Sequence, residues 1–366
     1  MKSVQKQELK NRTFLSILAG IIISYHSRIV RNACLYAFTR SIKKEMEIKE
    51  IKANELDPET FIKEKITEIS EIIGEGTAIS ALSGGVDSAT VTMLGHKALG
   101  DRLKTYFIDN GIMRQNEPEQ VVSIFKELGV NIELIKAREE FFNALGGVTD
   151  PEEKREAITQ TFYKDVFAKL LKKSDAKFLL HGTILTDVEE TVAGIKRQHN
   201  IFEQIGIDPE DVFGYKIIEP LVQLRKDGVR KVAKSLGLPD TIYNRPPFPG
   251  PALAARVIGE ASPERIEIVR KATIIVEEEL KNIDAFQCMA ILHNDKLTGI
   301  RNGKRDFGLQ IEIRCWDSVD ARIAKPTRLS YEVLDNLSER ITNEVPNVVS
   351  VTYNIAKKPP STMEAV

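Results

Sequence analysis

Cysteine is scarce in this chain of 366 residues: Cys34, Cys288 and Cys315 are its whole complement. They lie far apart and form no C-x-x-C pair, so the sequence predicts a reducing compartment and no disulfide framework. The five histidines, at 26, 96, 181, 199 and 293, show no metal-ligand spacing, which argues against a structural metal site. Charge of one sign is missing too, since 52 basic and 53 acidic residues leave a formal net charge of −1. That balance gives no reason to expect a nucleic-acid or membrane surface, and any bound anion must be held by local groups. The apolar run "FLSILAGIIISY" (14–25) falls short of the about 20 residues that a membrane-crossing helix needs. No internal repeat or low-complexity segment is present.

What the chain does have is the composition of a globular protein with a real core, 42% hydrophobic and 29% charged, and the length of two domains. Residues 1–45 stand apart as an extension. Lys2, Lys6, Lys10 and Arg12 precede the apolar run, yet "SYHSR" offers no cleavage site for a signal peptide. An appended helix, a weak anchor and a true start at Met46 remain open; "MEIKEIKANELDPETF" reads as an ordinary cytosolic beginning.

From Asp57 the pattern is regular. Asp57-Pro58-Glu59 supplies an N-cap, a first-turn proline and an early acid, and Ile62, Ile66, Ile69 and Ile73 repeat at helical spacing. Short apolar runs predict strands at 78–82, 104–108, 131–135, 177–180 and 215–218, with helices at 87–99, 117–128 and 152–172 between them. Strands joined by helical crossovers predict an α/β fold with a doubly wound parallel sheet, whose ligands sit at the carboxyl ends of the strands. At 245–251 "RPPFPGP" breaks the pattern, because four prolines in seven residues suit neither helix nor inner strand. The boundary is therefore placed there, with a first domain at 46–244 and a smaller α+β domain at 245–366. The latter is predicted to hold helices near 262–281 and 328–344 and strands near 286–292, 297–301, 308–314 and 348–354.

The chemistry concentrates in Ser83-Gly84-Gly85-Val86-Asp87-Ser88, between the first strand and the next helix. Glycines let the backbone approach a ligand, the helix start points N–H groups at an anion, and two serines can donate. A kinase-type phosphate loop would continue with Lys, and none follows. Asp87 would repel a phosphate unless Mg²⁺ lies between them, sharing oxygens from both. A pyrophosphate cradle with a magnesium-binding Asp suggests attack at the α-phosphorus and departure of intact pyrophosphate. The plainer alternative is a glycine-rich turn with no ligand.

"SGGVDS" resembles the signature of the ATP pyrophosphatases. "FIDNGIMRQNEPEQV", "DPEEKREAI", "HGTILTDVEET", "IKRQHN", "EPLVQLRKDGVRKVAKSLGLP", "PFPGPALAARVIGE" and "ITNEVPNVVSVTYNIAKKPPSTMEAV" are similar in order and spacing to GMP synthetases. The resemblance, covering about 60 to the end, implies adenylation of the 2-oxygen of xanthosine 5′-monophosphate (XMP) by ATP, then displacement of AMP by ammonia. It implies that Ser83, Gly84, Gly85, Val86, Asp87 and Ser88 hold pyrophosphate and Mg²⁺. Asp109, Asn110 and Gly111 would line the adenosine side, with Gly182 and Thr183 beside them. Asp187 and Glu190, three apart on one helical face, would share a metal or order a lid; solvated acids at a helix start are the other reading. Lys196 and His199 would meet phosphate from the lid as catalytic residues alongside Asp87, or lie on the surface. Arg245, Lys358, Thr362 and Glu364 would bind XMP.

Departures from the family pattern fall on the lid or the acceptor side, none on the phosphate loop: Lys-Arg-Gln-His-Asn for Lys-Ser-His-His-Asn at 196–200, Pro246 for His, Ala252 for Gly, and Ala365-Val366 for Trp-Glu. Rival readings are therefore a relative that adenylates another nucleotide or a tRNA base, and a non-catalytic nucleotide-binding regulator. None of the cysteines has the glycine-flanked setting of a glutaminase nucleophile. A separate glutamine amidotransferase subunit is therefore expected, docking near 152–164, and with it a cytoplasmic homodimer.

Overall fold

The computed structural model describes residues 48–192, 215–245, 248–301, 303–318, 321 and 323–365. Its first helix, α1 (Pro58–Ile73), starts as the sequence dictates: the Asp57 side chain accepts from the Glu59 N–H, and Phe61, Ile69 and Ile73 turn inward. Then follow β1 (Ala78–Leu82), α2 (Val86–Leu99), β2 (Leu103–Asp109), α3 (Glu117–Glu127), β3 (Ile132–Lys136) and α4 (Arg138–Leu145). α5 (Pro151–Gln160) runs through a π-helical stretch (Thr161–Phe167) into α6 (Ala168–Ser174), so the single long helix expected there carries a widened middle. β4 (Phe178–Leu180), α7 (Leu185–Val192), β5 (Lys216–Ile218), α8 (Lys226–Ser235) and α9 (Asp240–Tyr243) complete this half.

The five strands pair in parallel in the order β3-β2-β1-β4-β5, so Ala78 lies beside both Leu103 and Phe178. Successive side chains of a strand point to opposite faces, and both faces here are covered. Ala78, Leu82, Leu103, Phe107 and Leu180 enter one apolar cluster, while Ile79, Tyr106, Ile108 and Leu179 enter another. Burial on both sides is why these strands read as unbroken apolar runs. The order also fixes a switch point: from β1 the chain winds one way through β2 and β3, then returns to the other side at β4.

Beyond the proline-rich junction come a 3₁₀ turn (Ala252–Arg256), α10 (Pro263–Glu279), β6 (Gln287–Leu292), β7 (Leu297–Arg301), β8 (Lys304–Ser318), β9 (Ala324–Pro326), α11 (Tyr331–Glu344) and β10 (Val348–Tyr353). β8 pairs antiparallel with β6, β7 and β9 and parallel with β10. Leu253, Val269, Ile313, Ile341 and Val348 belong to the same cluster as Ile79 and Ile108. One apolar core thus continues from the first sheet into the second.

One expectation is corrected. Cys288 and Cys315 face each other on β6 and β8, with Cα atoms 4.1 Å apart, and are joined as a disulfide. Their 27-residue separation hides a cross-strand register that makes them direct neighbours. The tail after β10, which by itself would pass for frayed chain, is tied down. Arg314 donates to the carbonyls of Thr362 and Glu364, Trp316 Nε1 donates to that of Met363, and Met363 is buried. Among the described residues no helix is long and apolar enough to cross a membrane.

Candidate functional site

The loop between β1 and α2 is shaped before any ligand arrives. Ser88 Oγ donates to the Gly85 carbonyl, lies 3.1 Å from Ser83 Oγ, and accepts from the Ser83 N–H. Gly84 has φ +77°, and a Cβ there would lie 2.8 Å from Glu117 Oε1. Gly85 occupies the N-cap of α2 without a side-chain cap, leaving the helix's first N–H groups to an external acceptor. Val86 is buried and anchors that first turn in the core.

Asp87 stands at the helix start. One oxygen, Oδ2, accepts from Lys226 Nζ at 2.5 Å; the other, Oδ1, is buried and has no hydrogen-bond partner among the described residues. An unpartnered buried carboxylate oxygen beside a phosphate cradle suits Mg²⁺, which characteristically takes one or two protein carboxylates and completes its shell with phosphate and water. The residues present fit that ion. Among the described residues no group of three or more His, Cys, Asp or Glu could hold a metal by itself. Asp187 Oδ2 accepts from the Ile184 N–H, so this carboxylate caps α7. Glu190 lies in α7 with its side chain outside the described residues, as do Lys196 and His199 altogether.

Across the switch point, β4 brings Gly182 and Thr183 to the same loop. A Cβ on Gly182 would lie 3.1 Å from the Ser88 nitrogen and 3.2 Å from the Asp87 carbonyl carbon. Only glycine lets β4 approach the helix start so closely. Thr183 Oγ1 donates to Glu219 Oε1 at 2.7 Å and lies 2.8 Å from His181 Nδ1, a polar chain joining the ends of β4 and β5.

At the end of β2, Asp109, Asn110 and Gly111 form one turn. Asp109 Oδ1 accepts from the Gly111 N–H and Oδ2 takes the Arg138 guanidinium at 2.7 Å; Asn110 Oδ1 accepts from the Ile112 N–H. Both side chains shape their own turn. Gly111, φ +75°, is there because a Cβ would lie 2.7 Å from the Phe142 ring. A cavity of about 150 Å³ opens beside this turn, lined by Asp109, Gly111, Arg114, Arg138, Glu267 and Arg270 among others.

The four acceptor-side residues each have their own partners. Lys358 Nζ donates to the Ala321 carbonyl and Thr362 Oγ1 to that of Glu364, both within the tail's own surroundings. The Glu364 carboxylate receives Arg256 Nε at 3.2 Å, Arg256 Nη2 at 3.3 Å and Gln287 Nε2 at 2.9 Å. Arg245 instead joins the loop: Nη1 donates to the Gly84 carbonyl at 3.0 Å and Nη2 meets Glu117 at 2.6 Å. Sequence reasoning also missed Lys226. A lysine in the first turn of an amphipathic helix resembles a solvated residue, and only the β1-β4-β5 order brings it to Asp87.

Comparison with known proteins bears on both halves. The C-terminal part, 275–365, matches the family model described as the GMP synthase C terminal domain. The chain is 47% identical over 309 residues to a subunit of glutamine-hydrolysing GMP synthase from Archaeoglobus fulgidus, covering 84% of this chain and 99% of that one. The same subunit from Methanopyrus kandleri (46% over 316 residues) and from Methanocaldococcus jannaschii (44% over 313 residues) is covered to the same extents.

Proposed function

The chain belongs to the family of these GMP synthase subunits, and from that premise we propose how its own residues divide the work of making GMP. ATP enters with its phosphates on Ser83–Ser88. The 2-oxygen of XMP attacks the α-phosphorus, the bond from that phosphorus to the bridging oxygen breaks, and pyrophosphate leaves. Ammonia then adds at C2, the C2–oxygen bond breaks with AMP as leaving group, and a proton is lost to give GMP. Purine C2 is an unreactive, amide-like carbon, and adenylation makes its oxygen leave readily.

The observation that carries this reading is the pairing of an open cradle with the partnerless Oδ1 of Asp87 at the switch point of the sheet. When bound there, Mg²⁺ supplies neutralisation of charge on the departing pyrophosphate. The chain's own part is positioning and electrostatics. Exposed N–H groups of α2 and the hydroxyls of Ser83 and Ser88 bind the phosphates. Lys226, at 2.5 Å from Asp87, holds that carboxylate and places a cation at the same edge. On the acceptor side, Glu364 presents a carboxylate to the purine base.

Nitrogen comes from a separate amidotransferase subunit, for which we place the dock on α5 and the π-helical stretch after it. The junction at 245 divides an ATP domain from an acceptor domain. A homodimer through β7 and β8 would cover Ile300 and Phe307, 82% and 62% exposed; Phe307→Lys should then shift the sedimentation coefficient to that of a single chain. We place the enzyme in the cytoplasm. The decisive assay is purified protein with ATP, Mg²⁺, ammonium and XMP, followed for GMP. Pyrophosphate release without XMP dependence would point to a different acceptor, and ATP binding without turnover to a regulator.

A further inference from the structure

Phe248 has no part in the chemistry above, yet the junction is built around its ring. The guanidinium carbon of Arg114 lies 3.8 Å from the ring centroid, that of Arg256 4.8 Å and that of Arg245 6.0 Å. Each guanidinium then reaches a different part of the molecule. Arg245 holds the Gly84 carbonyl of the phosphate loop. Arg114 pairs with Glu277 of α10 at 2.7 Å. Arg256, only 1% exposed, forks onto Glu364 in the tail.

Three like charges around one ring repel, and burial pulls the Arg114 guanidinium below its ordinary value. Glu117, Glu277 and Glu364 balance them, and the electron-rich ring face attracts all three. The balance is incomplete: Nη1 of Arg114 and Nη1 of Arg256 are both buried with no hydrogen-bond partner among the described residues. Buried donors without partners are unfavourable, so the junction has a better arrangement to reach once an acceptor group enters. The loop cannot ignore such a move. Gly84 is wedged so that a Cβ would lie 3.1 Å from Arg245 Nη1, and its backbone is bonded to the same side chain.

We propose that Phe248 and Arg256 are positioning residues that couple the two ends of the site. An acceptor seated at Glu364 acts through Arg256, the Phe248 ring and Arg245 on the Gly84 carbonyl, so that it tightens ATP; by reciprocity, ATP orders the tail. The assignment of the acceptor rests on the reading above, whereas the mechanical link does not.

The test uses the full chain and α,β-methylene ATP, which cannot release pyrophosphate. Its dissociation constant is measured with and without XMP for the wild type, Phe248→Leu, Phe248→Tyr and Arg256→Lys. In parallel, hydrogen exchange at 361–365 is followed with and without the nucleotide, in the absence of XMP. XMP should tighten the nucleotide about fivefold or more in the wild type and in Phe248→Tyr, which keeps the ring. It should do so less than about twofold in Phe248→Leu and Arg256→Lys, with nucleotide affinity in the absence of XMP unchanged. Nucleotide should slow tail exchange in the first pair and not in the second. If the wild type shows neither effect, or Phe248→Leu keeps both, the proposal is wrong. If XMP fails to bind the wild type while nucleotide still slows the tail through Phe248, the acceptor assignment falls and the coupling stands. Should Phe248→Leu fail to fold, Arg256→Lys against Phe248→Tyr decides the same question.

Discussion

Replacing Gly182 with alanine should slow turnover out of proportion to its effect on stability. The added Cβ would sit 3.1 Å from the Ser88 nitrogen and 3.2 Å from the Asp87 carbonyl carbon. Both neighbours are backbone atoms, so β4 or the start of α2 must give by a few tenths of an ångström. Overpacking of this kind costs about 1–3 kcal/mol, and in a domain of about 200 residues about 1 kcal/mol lowers Tm by about 2–4 °C. The displaced atoms, however, carry the N–H groups and the carboxylate of the proposed phosphate cradle. A misplacement of about 1 Å can cost on the order of a hundredfold in rate, so a shift of a few tenths should cost about tenfold. Gly146→Ala is the control, since its Cβ would make only an ordinary contact at 3.4 Å, to the Asn143 carbonyl. The assay is GMP formation from ammonium at saturating XMP, alongside thermal melts of both variants. A Gly182→Ala enzyme that melts lower yet turns over within about twofold of wild type would refute the argument that β4 sets the cradle.

Asp87→Asn should cut turnover by at least about tenfold, roughly 1.4 kcal/mol of barrier, and raise the Mg²⁺ concentration needed for half-maximal rate; near-normal rates at limiting Mg²⁺ would remove Asp87 from the metal site. This chain alone should make GMP from ammonium but not from glutamine, measured at a pH where some free NH₃ exists, and glutamine-dependent product would overturn the need for a partner subunit. Burial pulls buried Lys154, whose Nζ donates to the Val257 carbonyl, down to about 8 from 10.5. Its folded value lies below its unfolded one, so the unfolded chain holds more protons between those limits and stability from this group rises with pH there. Urea midpoints at pH 8 and 9.5 should accordingly climb more in the wild type than in Lys154→Met, and equal slopes would count against a desolvated Lys154.

Much of this architecture can be read from the chain because buried parallel strands leave an unmistakable trace. Ala78–Leu82 and Leu103–Asp109 are apolar on both faces, and glycines and acids mark where each stops. The cradle is legible because its requirements are local: φ > 0 at Gly84, a helix start at Val86, hydroxyls at either end. What escapes depends on separations that no window of sequence spans. Asp109 can be placed at its strand's end from sequence, but the Arg138 guanidinium, 29 residues on, that pairs with its carboxylate cannot. Arg245 lies in the junction and reads with the tail, whereas the fold brings it back across 161 residues to Gly84. Cys288 and Cys315 look unrelated until register places them opposite. Phe248 resembles one more apolar residue among prolines.

Fifteen residues long, β8 is the sole strand to which β6, β7, β9 and β10 are each hydrogen-bonded in the described part of the second sheet. A sheet with one spine has no half-folded form worth occupying, because losing β8 strands every other member at once. Its amides at 309–316 should therefore exchange with solvent only when the whole second sheet opens, and should be the slowest in that part of the chain. The tail hangs from the same spine through Arg314 and Trp316. The proposed acceptor end thus inherits its rigidity from the most cooperative element of the second sheet, while the Ser83–Ser88 loop draws its own from the first.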